Sequence, residues 1–345
     1  MRARATPPTR LLALCVCAVL GVFGAACATK KKQKLEAHYG PSESVVEVVA
    51  VLRRHVPDDT YRFPPATDFT GRNVYRSGLL RLESIERIHA DALRSGYMDP
   101  VIFFAKGRAL ERLRAYDLAA EYYREAAKRE PALAEEARQS AYVCDQISDA
   151  LRVGIDIADP LAKHRKDAKP ETTSVEVLRA RPEDVSDAEQ VIADLEERVA
   201  LLSLLLDEVE TTHYSAVIRE EIERADEIRA AYFVNHRFAI EDGQLRAAAE
   251  LQRVVARHNP SKNRLRHMLR LATLFDDLAH EYVQASPPET LSFDPADFQD
   301  IVDPATQLYE SVAGHDGTPE KLEAARRLEA FLAFTLLVDR DRFTH

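Results

Sequence analysis

Apolar side chains recur along much of this chain at steps of three and four residues, the spacing that lines one face of an α-helix. The longest row is Val191, Leu195, Val199, Leu202, Leu206 and Val209, continued after His213-Tyr214 by Ile218, Ile222, Ala225, Ile228 and Tyr232. Two long helices in an antiparallel hairpin, or one broken helix, both satisfy that row. A shorter row, Leu79, Leu82, Ile85, Ile88 and Ala92, predicts a helix that Gly96 can end. Glycine is scarce at 11 of 345 residues, tryptophan is absent, and Ala, Leu, Glu and Arg dominate. That is the composition of helices rather than sheets, so the expected class is all-α.

The rows are punctuated. SESVVEVVAVLRR, residues 42–54, opens with a Ser cap but is rich in valine, and the segment 57–73 after it has three prolines and a glycine and reads as a loop. Between Ala150 and Asp187 the periodicity stops. Pro160, Pro170 and Pro182 interrupt a polar stretch there, so residues 159–186 are expected to form a linker or exposed loop between a helical domain over 42–158 and a second one over 187–345. Asn259-Pro260 marks a further break before a helix over Leu265–Val283. Pro287-Pro288 and the DPADFQDIVDP segment, 294–304, read as a turn-rich connection. Closing helices are expected near Pro304–Val312 and Pro319–Val338, the last with Thr318 as cap and its FLAFTLL stretch buried in the core, being too short to span a bilayer.

The amino terminus has a different character. Arg2, Arg4 and Arg10 precede sixteen apolar or small residues, Leu11–Ala26, with Lys30, Lys31, Lys32 and Lys34 close behind, which is the order of an export signal. Its end, Gly24-Ala25-Ala26-Cys27, resembles a bacterial lipobox, although Gly24 stands where leucine is usual. The resemblance implies a signal peptide over 1–26 that is cleaved, diacylglycerol on the Cys27 sulfur, and a lipidated tether over 27–41. An ordinary signal cut near Ala26 or Ala28 would instead leave Cys27 an incidental thiol. Ala28 is not the aspartate that such lipoproteins often use for retention in the inner membrane, so the resemblance implies the periplasmic face of an outer membrane. The chain carries a formal charge of -10, and loss of the signal removes three more positive charges, which argues against nucleic acid as a bulk partner. Cys144 then has no partner for an internal disulfide and is expected to be a buried free thiol.

Residues 99–132 resemble a tetratricopeptide repeat, a helix-turn-helix unit. With Pro131 at the near-terminal proline, Phe103 and Gly107 fall at the aromatic and small sites of the first helix, and Ala119, Tyr123 and Ala126 at the small, aromatic and small sites of the second. Lys106 and Leu110 depart from the pattern. One repeat cannot bury its own faces, so neighbouring helices must stack on it. In such arrays the first helix faces a concave groove, which here implies Val101, Phe104, Arg108 and Glu111 as candidate partner-binding residues; the alternative is that Phe104 is core and the charges are solvated.

No zinc-binding His-Glu-x-x-His helix, Gly-rich phosphate loop or Gly-x-Ser-x-Gly elbow is present, and no catalytic residue, metal or cofactor is expected. Asp276, Asp277, His280 and Glu281 form the densest titratable cluster and read as a surface hydrogen-bonded group. Lys262, Arg266 and Arg270 read as a basic stripe held in salt bridges. Three functions follow as expectations: a membrane-tethered adaptor binding another envelope protein; an envelope enzyme with a carboxylate site, similar to helical lytic glycosidases; or a structural spacer that self-associates through 187–235 as a coiled coil.

Overall fold

The computed structural model describes residues 71–93, 98–154 and 188–342, and residue 46 alone. The export signal, Cys27, the 42–54 segment apart from Val46, Gly96 and the 159–186 linker lie outside the described residues. Every regular element within them is an α-helix, and no described helix is long and apolar enough to cross a membrane.

The chain begins with α1 (Val74–Ile88), whose first turn is capped by Asn73: its Oδ1 accepts from Tyr75 N at 2.9 Å and Arg76 N at 3.2 Å. The helix expected from the Leu79–Ala92 row thus starts five residues earlier, and it breaks at His89 before a single turn, α2 (Ala90–Leu93). Next come α3 (Asp99–Arg112), α4 (Tyr116–Arg129) and α5 (Pro131–Arg152). Pro100 and Pro131 sit in first turns, where a missing N–H costs nothing. The second half contains α6 (Ala188–Glu208), α7 (Tyr214–His236), α8 (Gly243–Arg257), α9 (Arg264–Ala285), α10 (Pro295–Ala313) and α11 (Pro319–Arg342). The long apolar row is therefore two helices, α6 and α7.

Two expectations need correction. The DPADFQDIVDP segment is not a turn but the first half of α10. Asp294 caps it, its Oδ1 accepting from Ala296 N at 2.8 Å, and Pro295 opens it. Phe298, Val302, Ala305, Tyr309 and Val312 make one buried face that runs through Pro304. Burial along that face offsets the roughly 3 kcal/mol that an interior proline costs. Nor is the FLAFTLL stretch fully buried: Phe331 is, whereas Leu332, Leu336 and Leu337 are exposed. Among the described residues this helix is the last of the stack and has neighbours on one side only.

Successive helices pack side by side, and the core passes from pair to pair as four linked clusters. Tyr75, Leu82, Ile102 and Ala109 join α1 to α3. Tyr116, Tyr123, Cys144 and Ile147 join α4 and α5 to Leu202, Tyr214 and Ile218 of α6 and α7. Val191, Leu195, Phe233, Ala247 and Leu271 continue into α8 and α9. Met268, Phe298, Tyr309 and Phe331 close the stack between α9, α10 and α11. The second cluster crosses the position of the expected linker, so the two halves share a core. They also share a cap: Arg198 of α6, buried, donates from Nε to Val153 O at 3.0 Å, just past the end of α5.

The α3–α4 pair shows why the chain needs glycine at 107. A Cβ there would lie 2.8 Å from Cε1 of Tyr123, a ring with no exposed surface. That ring cannot swing aside, because its hydroxyl donates to Glu111 Oε2 at 2.9 Å and Phe104 packs edge-on to it at 5.2 Å. In Gly107→Ala, overpacking should outweigh the gain in helix propensity of about 1 kcal/mol, giving a net loss of about 1–2 kcal/mol in a denaturant titration. An unchanged or raised midpoint would show that the ring can yield.

Candidate partner groove and its ionic frame

Helix α7 buries acids beside its apolar row. Along IREEIERADEIRAAYFVNH, Glu220, Glu221, Glu223, Asp226 and Glu227 are buried together with Val217, Ile218, Ala225 and Phe233. Glu220, Glu223, Asp226 and Glu227 share the side turned to α8 and α9, and Glu221 faces the first half of the chain. Glu220 accepts from Lys262 Nζ at 2.8 Å. Glu221 is bound by Arg114, Nε to Oε1 at 2.9 Å and a terminal nitrogen to Oε2 at 2.7 Å, and by the Tyr116 hydroxyl at 2.6 Å. Glu223 accepts from His267 Nε2 at 2.6 Å, Ser261 Oγ at 2.8 Å and Asn263 Nδ2 at 3.2 Å. Asp226 is bound by Arg253 at 2.8 Å and His258 Nε2 at 2.7 Å, and Glu227 by Arg266 at 2.7 Å and Arg270 at 2.8 Å. Burial alone would raise the Glu223 and Asp226 carboxyls, but these donors hold both below the usual range. Arg114 sits in the α3–α4 turn at φ +64°, a left-handed conformation that a non-glycine residue adopts only when something holds it. Here the two-pronged bond to Glu221 does so.

Beside this frame, a cavity of about 740 Å3 opens between α7, α8, α9 and α11. Its floor is apolar, built from Ile228, Val234, Leu251, Val254, Leu269 and Leu274. Around it stand four arginines, Arg224, Arg266, Arg270 and Arg327, against two carboxylates, Glu227 and Asp277. Arg327 is steadied by Thr273, its terminal nitrogen donating to Oγ1 at 2.9 Å. Burial holds the Asp277 carboxyl above its usual range, an effect that Arg237 opposes and Asp276 reinforces. In a chain with a net charge of -10, the charged groups of this groove thus include more cations than anions.

The residues expected to line a groove on α3 are placed otherwise. Val101 and Phe104 are half-buried, but Arg108 and Glu111 are buried under the start of α7. Glu111 Oε2 accepts from the hydroxyls of Tyr123 at 2.9 Å and Tyr214 at 3.0 Å and from Arg108 at 3.2 Å, while Arg108 also donates to His213 Nε2. At these two residues the expected docking face is a packing face filled by the chain itself. Likewise the row expected to self-associate over 187–235 is spent within the fold, with Val191, Leu195, Leu202 and Val209 buried.

The basic stripe Lys262, Arg266, Arg270 is held in salt bridges as expected, but to buried acids of α7. Asp276 lies 3.1 Å from His280 and accepts from the Tyr309 hydroxyl at 3.0 Å. Among the described residues no cluster has the makings of a metal site, and Cys144 is buried and outside any disulfide. The acids of α7 were not among the residues expected to build a site; the available signal was a row of four acids, Glu220, Glu223, Asp226 and Glu227, at helical spacing beside an apolar row. Comparison with known proteins gives no match: no family model, no curated protein and no solved structure is similar to this chain.

The Glu111 cluster has a pH signature. Burial, and then the guanidinium of Arg108, lower the His213 pKa from 6.5 to about 4, so the folded state keeps the ring neutral. An unfolded chain takes up that proton more readily, so the stability due to His213 is complete above pH 6.5 and is lost as pH falls toward about 4. The melting temperature should therefore decline between pH 6.5 and about 5, above the range in which ordinary carboxylates titrate, and decline less in His213→Gln. Parallel declines would place the pH sensitivity elsewhere.

Proposed function

We propose that the chain is a lipid-tethered helical-repeat scaffold of the bacterial envelope, whose groove between α7, α8, α9 and α11 holds an acidic, amphipathic segment of another envelope protein. The observation that carries this reading is the groove itself, with an apolar floor and an excess of arginine in an otherwise acidic chain. Apolar side chains of an extended segment would cover the floor while its carboxylates meet guanidinium groups, which suit carboxylate geometry. A stack of helices is also the kind of scaffold that presents such elongated surfaces. A hydrolase reading draws on Asp277 alone, because Glu227, the other carboxylate of the groove, is locked between Arg266 and Arg270. The tether rests on Gly24-Ala25-Ala26-Cys27 and the four lysines after it, which would lie near anionic headgroups.

Selection from a random-peptide library on the purified protein should enrich sequences that alternate apolar residues with Asp or Glu. The enriched peptides should bind the Arg270→Glu/Arg327→Glu variant about a hundredfold more weakly, since like charge then faces like charge across a partly dry groove. Enrichment of basic peptides, or equal binding to that variant, would remove the basis for the groove. For the tether, Cys27→Ser should abolish labelling by a fatty-acid analogue and leave the chain uncut or soluble. Correctly cut protein that stays on the membrane would contradict lipidation.

A further inference from the structure

The outer face of α11 has no neighbour among the described residues. Leu322 is 76% exposed, Leu336 69%, Leu337 48% and Leu332 41%. These residues are not scattered. Leu322, Arg326, Glu329, Ala333, Leu336 and Arg340 follow one another at alternate steps of four and three, the row of a heptad seam, with Leu332 and Leu337 on its two flanks. The buried side of the same helix, Ala324, Phe331 and Val338, points the opposite way into α9 and α10.

Between Glu329 and Arg340 the seam is self-complementary about a point between residues 334 and 335, and Leu322 and Arg326 lie beyond that overlap. When two copies of the helix run antiparallel through that point, the leucine at 336 of each meets the small Ala333 of the other, and Glu329 of each meets Arg340 of the other. Both charges are available for this: Glu329 has no ion pair among the described residues, and Arg340 pairs only with its sequence neighbour Asp341. No such pattern of opposite charges flanking a leucine–alanine centre is needed for a helix facing water.

We propose that α11 is a homodimer interface, pairing antiparallel with α11 of a second copy of this chain across a two-fold axis at residues 334–335. The contact is isologous, so one leucine and one charge pair are each used twice. It is one helix wide, which puts it at the small end of specific interfaces and makes the dimer concentration-dependent. Arg327, the α11 residue of the groove, lies on the side of the helix away from the seam, so two grooves stay open in the dimer. The proposal does not depend on what those grooves hold.

Sedimentation of the full purified chain over a wide concentration range is the test. The wild type should shift from monomer to dimer, and Leu336→Glu should weaken the dimer about thirtyfold, as loss of a central apolar anchor does. Glu329→Arg and Arg340→Glu should each weaken it about tenfold by facing like charges, and the two combined should restore it. Each change is on an exposed side chain, and circular dichroism checks that the helices persist. The proposal is overturned by a wild type that stays monomeric throughout, by a dimer indifferent to Leu336→Glu, or by failure of the combined variant to recover. Slow hydrogen exchange of the seam in a monomeric wild type would put a segment of the same chain on this face, and would overturn it equally.

Discussion

The buried carboxylates of α7 hold this structure in its particular form. Stacked helices usually answer only to their nearest neighbours, and their stability is close to a sum of local terms. Here Glu221 reaches back to Arg114 and Tyr116 in the first half of the chain, while Glu220, Glu223, Asp226 and Glu227 reach forward to α8, α9 and the turn between them. A buried charge that loses its partner costs about 3–5 kcal/mol, more than a shifted apolar contact would. Sliding α7 by one residue, or rotating it by one position, would strand several carboxylates at once. The apolar clusters on either side supply most of the burial, and the acids fix which burial is permitted.

The same logic explains the groove. Arg266 and Arg270 are drawn to that wall by Glu227, and the aliphatic residues between them form its floor. The positive character of the groove is thus in part a by-product of neutralising α7: two guanidinium groups are brought in for one carboxylate, Arg224 adds to them, and Arg327 is paired with Glu323 on its own helix. The proposed recognition surface and the stabilising network share the same side chains.

Much of the architecture was legible in the chain because helices announce themselves by period and by their ends. The all-α class and the break at Pro260 followed from spacing and proline, and the small site at Gly107 from the resemblance to a repeat, while the long row left two helices and one broken helix equally open. The start of α10 was missed because Asp-Pro was taken as a turn, although Asp before Pro is equally the cap and first residue of a helix, and Phe298 and Val302 four residues apart favour the second. What spacing cannot give is the destination of polar side chains. Glu111 and Tyr214 are more than a hundred residues apart, and nothing local distinguishes an Arg or Glu that will be buried with a distant partner from one left in water. That is why Arg108 and Glu111 read as groove residues and are in fact packed. The exposed leucines of α11 were misjudged for a related reason, since hydrophobicity tells what prefers burial but not whether a neighbour exists to provide it.

The second core cluster also sets an order of events. Tyr123, Cys144 and Ile147 are made early, but Leu202, Tyr214 and Ile218, which cover them, are made some sixty residues or more later, and Glu111 meets the Tyr214 hydroxyl only then. A nascent chain that has reached α5 therefore has half a core and an ionised carboxylate that gains nothing from closing early. That cluster is complete only once α6 and α7 have joined it, so the first half of the chain depends for its core on residues made after the 159–186 segment.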